Sequence, residues 1–248
     1  MTRIVFAGPS LYGADLSEFT DIRFAPPVTF GDVFRATEGG AKIIGIIDGH
    51  FEQTASVWHK EILAALSRGV QVFGGGSMGA LRAAECARFG MVPVGQVAQA
   101  YCDGELTSDG DVAVINGPAE AGFVPLSEAL VDALATFVRL RDLVLISGRE
   151  QERLAFSARR LFFKDRTLRK IIATAQLGSR APVVQRAYKA HRRSIKGEDA
   201  LAVVRAVQGA ESVPVSDQEP ASWFNNSTIW HNVSRQLSAV SRPSTGSA

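Results

Sequence analysis

The first half of the chain alternates between short apolar runs and stretches with helical spacing. Ile4–Gly8 reads as a buried strand ending at Gly8-Pro9-Ser10, and Asp21–Phe24 as a second strand ended by Pro26-Pro27. Asp32–Thr37 reads as a short helix. Ile43–Ile47 is a β-branched run apolar on both faces, as in a central parallel strand, and it ends at Asp48-Gly49. Ser56–Ser67 places Val57, Ile62, Leu63 and Leu66 on one helical stripe. Val70–Phe73 is a further strand. Gly74 to Gly76 form a turn, and Met78–Phe89 is a helix closed by Gly90. Asp111–Asn116 is expected as another strand and Ser127–Leu140 as a long helix. This order predicts an α/β fold, a parallel sheet flanked by helices.

Beyond Gln151 the strand pattern stops. Arg149–Phe163, Thr167–Leu177, Pro182–Arg193 and Gly197–Val207 all have helical spacing, punctuated by Gly178, Pro182 and Gly197. After Glu211 the chain turns to Ser, Asn and Pro. Three regions are therefore expected: an α/β domain over 1–145, a helical region over 146–210, and an irregular tail over 211–248. Ser241–Ala248 is expected to be disordered, with Trp223 and Trp230 docking back onto the core.

Charge sharpens that division. Met1 to Val138 carries eight Lys and Arg against sixteen Asp and Glu, whereas Arg139 to Arg205 carries seventeen against six. The helical region is thus strongly basic, either as solvated helix faces or as a surface for a protein or nucleic acid. No apolar run approaches the ~20 residues of a membrane span. The opening MTRIVFAGPS lacks the long apolar segment of a signal peptide. Cys86 and Cys102 lack CxxC spacing, so neither a disulfide framework nor a metal site is expected, and a reducing cytoplasm fits.

In a parallel sheet, chemistry collects at the carboxyl ends of the strands. Here those ends give Gly8, Pro9 and Ser10, then Asp48 and His50, then Gly76, Ser77, Met78 and Gly79. Gly75-Gly76-Ser77-Met78-Gly79 has the spacing and the strand-to-helix context of a nucleophile elbow. The turn can present Ser77 as a nucleophile, cradle an anion at the helix N-terminus, or use Ser77 as an N-cap. Asp48, His59 and Ser77 supply the residue types of a catalytic triad, with His50 as a substitute base. Lys60 is a further base or a cation for an anionic substrate. Arg82 and Glu85 stand three apart and can pair on one helix face.

At these residues the chain resembles the TfuA-like family. The matching stretches are FAGPS at 6–10, IIGIIDGHF at 43–51, VWHKEILAAL at 57–66 and VFGGGSMGALRAAE at 72–85. LFFKDRTLRKII at 161–172 and KGEDALAVVRAV at 196–207 extend the resemblance into the second half. It implies partnership with a YcaO-type enzyme in forming backbone thioamides of modified peptides, where sulfur replaces an amide oxygen. A ThiS-like sulfur-carrier protein ending in a thiocarboxylate is one sulfide source, and the precursor peptide is a further partner. No cofactor is expected, and homo-oligomerisation is left open. On this reading Ser77 attacks the thiocarboxyl carbon, His59 acts as base and Asp48 orients it. The N–H groups of Met78 and Gly79 stabilise the oxyanion, and Arg82 or Lys60 holds the thiocarboxylate. The rival reading is a non-catalytic partner that recruits or activates the YcaO enzyme.

Overall fold

The computed structural model describes residues 2–50, 54–211, 221 and 223–240. Five parallel strands form one sheet: β1 (Thr2–Phe6), β2 (Ile22–Ala25), β3 (Ala41–Ile46), β4 (Gln71–Gly75) and β5 (Val92–Val94), in the order β2-β1-β3-β4-β5. The expected α/β class with a parallel sheet is what the chain forms. Strand alternation gives each face its own core. Ile4, Phe6, Ile44, Ile46 and Val72 point to one face. There they meet Val33 and Ala36 of α1 (Asp32–Glu38), Ile62 and Ala65 of α2 (His59–Ser67), and Met78 and Ala83 of α3 (Met78–Cys86). Val5 and Ile43 point to the other face.

That second face is covered from far along the chain. α9 (Ile195–Gly209) lays Ala200, Val203, Val204 and Val207 onto Val5, Ile43 and Ile47. Gly45 of β3 makes the approach possible: a Cβ there would lie 3.0 Å from Val207 Cγ2 and 3.2 Å from Val203 Cγ1. The apolar stripe of α9 was legible in the sequence; its destination, the sheet, was not.

The other helices of the second half build a separate core. α5 (Leu130–Asp142), α6 (Gly148–Arg160), α7 (Leu168–Ala175) and α8 (Ala181–Ala190) bury Phe137, Leu140, Leu154, Ile171, Val184 and Tyr188 together. Ser147 and Thr167 cap α6 and α7 through their hydroxyls.

Two expectations are corrected. Asp111–Asn116 is not a strand. A 3₁₀ turn covers Asp109–Asp111, and Asn116 makes one isolated bridge, to Pro125. Side chains take backbone groups that a strand partner would have used: Val112 O accepts from Lys196 Nζ at 2.6 Å, and Ile115 N–H donates to Ser127 Oγ at 2.8 Å. In its place β5 and α4 (Gln96–Cys102) complete the sheet unit. Pro93 sits in β5, as an edge strand permits. The irregular tail contains a helix, α10 (Thr228–Val240), anchored by Trp230 against Phe34 and Trp58 at ring-centroid distances of 5.8 and 5.9 Å. Ser241–Ala248 lies outside the described residues. Among the described residues no helix is long and apolar enough to cross a membrane.

α9 also fastens α4. Both carboxylate oxygens of the buried Asp199 accept from the first turn of α4, from Gln96 N at 2.9 Å and Val97 N at 2.7 Å. Gly95 leaves room for this, since a Cβ there would lie 2.1 Å from the Asp199 carboxyl carbon. Asp199→Ala is expected to destabilise the protein by about 1–3 kcal/mol through the two orphaned N–H groups. Urea denaturation of the two proteins measures the difference.

Candidate functional site

The strand order reverses between β1 and β3, since β1 leads outward to β2 while β3 leads toward β4 and β5. Such a switch point opens a crevice at the carboxyl ends of the two strands. Asp48, two residues past β3, occupies it and is 1% exposed. Its carboxylate accepts from Gly8 N at 2.9 Å, Ser10 N at 3.0 Å and Ser10 Oγ at 2.7 Å. The Gly8-Pro9-Ser10 loop predicted beside Asp48 is therefore wrapped around its side chain.

The Ser77 turn follows β4. Gly76 has φ +72°, which a side chain would disfavour. Gly79 is the tightest position, because a Cβ there would lie 1.8 Å from Ile46 O. That closeness lets Gly79 N–H donate to Ile47 O at 3.0 Å, tying α3 to the end of β3. The expected oxyanion donor at Gly79 is thus already engaged. Met78 N–H has no partner among the described residues. Ser77 is 2% exposed, and its hydroxyl neither caps α3 nor makes another hydrogen bond among the described residues. Of the three readings of this turn, the plain N-cap loses its basis.

The remaining members sit elsewhere. His59 Nε2 meets Glu85 Oε2 at 2.7 Å, and Arg82 Nη1 meets the same oxygen at 2.7 Å. Arg82 Nε donates to Val57 O at 3.2 Å. The Arg82–Glu85 pair expected from spacing is formed, and it holds the imidazole. Glu85 lies eight residues beyond Ser77, about 12 Å along a helix axis. The structure therefore brings Asp48 to Ser10 and His59 to Glu85, and it does not join Asp48, His59 and Ser77 in one hydrogen-bonded chain. Lys60 Nζ donates to Asn225 O and lies 4.4 Å from the Phe224 ring centroid, so the C-terminal segment holds it.

Residues that sequence reasoning did not single out complete the crevice. A cavity of about 230 Å³ opens beside the Ser10 loop, lined by Pro9, Ser10, Tyr12, Asp132, Arg192 and Lys196 among others. Lys196 is buried. Its Nζ donates to Val112 O at 2.6 Å, and its backbone N–H donates to Asp132 Oδ1 at 3.0 Å. Ser194 Oγ donates to Asp132 Oδ2 at 2.7 Å. Burial pushes the Lys196 ammonium below the ordinary lysine range, while Asp48 and Asp132 pull it back up. Arg192 lies at the rim, paired with Glu128 at 3.2 Å. The Ser77 turn abuts this cluster, since a Cβ on Gly76 would lie 3.1 Å from Lys196 O. A signal for Lys196 was present: it stands four, seven, eight and eleven residues before Ala200, Val203, Val204 and Val207, on the stripe that α9 buries. A charge on a buried stripe marks a group with a task.

Residues 48–167 match the family model described as TfuA-like protein. No curated protein matches the chain. The matched stretch contains Asp48, His59, Ser77 and Arg82, while Ser10 and Lys196 lie outside it.

The two serines are expected to differ in what they hold together. Ser10→Ala removes a hydrogen bond to a buried carboxylate and should cost about 1.5–3 kcal/mol. Ser77→Ala removes no hydrogen bond and should stay within about 0.5 kcal/mol of the parent. Paired urea titrations decide this.

Proposed function

We propose, from the TfuA-like domain that this chain carries over residues 48–167, that it is a TfuA-type accessory protein which releases sulfide for a YcaO enzyme. The sulfide comes from the C-terminal thiocarboxylate of a ThiS-like carrier, and the precursor peptide receives it as a backbone thioamide. The observation that carries this reading is Ser77, a 2% exposed residue two positions past β4 whose hydroxyl neither caps α3 nor makes another hydrogen bond among the described residues. An unengaged hydroxyl at the carboxyl edge of a parallel sheet is placed for attack on an acyl carbon.

Ser77 Oγ adds to the thiocarboxyl carbon, and the tetrahedral species expels sulfur, which takes up the serine proton. The acyl-serine ester then reacts with water. The balance is one thiocarboxylate and one water in, one carboxylate and one hydrogen sulfide out. Met78 N–H, at the positive end of α3, faces the developing charge. His59 becomes the base once the docked carrier draws it from Glu85; catalytic contacts commonly tighten only in the substrate complex.

Incubation of a thiocarboxylated carrier with the wild type and Ser77→Ala tests this, with sulfide and carrier mass followed together. Ser77→Ala should lower the rate by at least about a hundredfold. Equal release from both sinks the reading.

Two observations favour a second reading, a non-catalytic partner that recruits or activates the YcaO enzyme. His59 is already paired with Glu85, and Gly79 N–H with Ile47 O. Under that reading Ser77→Ala leaves thioamide formation intact. Reversal of the exposed Arg159 and Arg160 on α6, by Arg159→Glu with Arg160→Glu, then abolishes co-purification with the enzyme.

A further inference from the structure

Among the described residues two cations are buried, in different ways. Arg166 donates to Ala158 O, Gly110 O and Leu161 O, so its guanidinium is held on three sides by backbone. Lys196 Nζ donates to one carbonyl, Val112 O, among the described residues. An ammonium has three donors, and a buried cation without full pairing is costly. Its two carboxylate neighbours do not supply the missing bonds. Asp48 accepts from Gly8 and Ser10, and Asp132 from Ser194 and the Lys196 backbone. Lys196 lines the cavity at the switch point, with Arg192 as a second cation on its wall and Asp132 as the single carboxylate there.

The cavity is also small. At about 230 Å³ it falls below the ~300–1,000 Å³ of sites that enclose a whole drug-sized molecule. Its remaining walls include Pro9, Gly13, Ala14 and Gly197, which admit a narrow extended chain.

We infer that this cavity binds the terminal carboxyl group of a peptide chain ending in small residues, as carboxylate or thiocarboxylate, with Lys196 as its counter-ion. The inference rests on the thiocarboxylate reading above for the identity of that chain, and it adds where the terminus sits. The incoming anion supplies the acceptors that the ammonium lacks, and charge-assisted bonds in a buried site are the strong ones. Arg192 on the same wall adds a second positive charge beside that of Lys196.

Calorimetric titration of the full chain with acetyl-Ala-Gly-Gly as free acid and as C-terminal amide tests the site. The wild type should bind the acid at least about tenfold more tightly than the amide, the effect of one bond to a charged group. Lys196→Met, checked by a cooperative melt, should lose that preference. Where Lys196→Met does not fold, Ala14→Phe, at another lining residue, narrows the cavity and should weaken binding of the acid by a similar factor. Equal binding of acid and amide, binding of neither, a preference that survives Lys196→Met, or undiminished binding of the acid by Ala14→Phe overturns the inference. Because the probe carries an ordinary carboxylate, the assay reads no turnover. Loss of the acid preference with Ser77-dependent sulfide release intact refutes the cavity alone, and the reverse pattern refutes the hydrolysis alone.

Discussion

The structure depends on the burial of α9 against the sheet. A parallel sheet needs both faces covered, and the helices that follow β2, β3 and β4 cover one. α9 supplies the other through Ala200, Val203, Val204 and Val207. At its N-terminus, Asp132 of α5 accepts from the Lys196 backbone and from Ser194, the residue that caps α9. Within α9, Asp199 caps α4. One helix therefore closes the core, holds the last helix of the sheet unit, and receives its own cap from the helical half.

Carboxylates buried in this way need donors, since an isolated buried charge is too costly to persist. Glu61 shows the same solution on the opposite face. It accepts from Gly31, Val33 and Phe34 at the start of α1 and from Trp58 at the start of α2. Burial raises the pKa of Glu61 and of Asp199, and the backbone N–H groups pull each back down. For an acid whose folded pKa lies above its unfolded value, the native state holds the proton more tightly. The sign then runs one way: each group's contribution falls as pH rises from the ordinary carboxylate range through the raised value. The N–H donors limit that loss, because helix starts favour negative charge.

Local signals carried much of the fold. The apolar runs of β1 and β3 and the glycines around Ser77 each act within a few residues. So does the i, i+3 spacing of Arg82 and Glu85. All of these were readable. What escaped the sequence reading depends on partners distant in the chain. Asp111–Asn116 has strand-like composition, yet Lys196 and Ser127 take its backbone groups. α4 lacks a local capping side chain, because its cap arrives from Asp199 about a hundred residues later. The Asp48–His59–Ser77 arrangement was drawn from residue types, whereas geometry divides them: Glu85 competes for His59, and Ser10 for Asp48. Lys196 was visible only as a charge on an apolar stripe, and its role becomes apparent only once the stripe's destination is known.

The crevice at the switch point is consequently shared by segments that are far apart in sequence. Ser10 comes from the loop after β1, Asp48 from the end of β3, Asp132 from α5, Arg192 from just past α8, and Lys196 from α9. Glu128 and Tyr188 join Arg192 to the core of the helical half, with Tyr188 Oη 3.1 Å from Glu128 Oε2. Asp132 then links that core to Lys196 and Ser194. A shift of α5 or α8 displaces Asp132 or Arg192 and so changes the charges that face the cavity. Short-range pairs in a buried setting are sensitive to such displacements, because screening by water is weak there. The basic helical half is thus wired to the strand ends by packing and ion pairs.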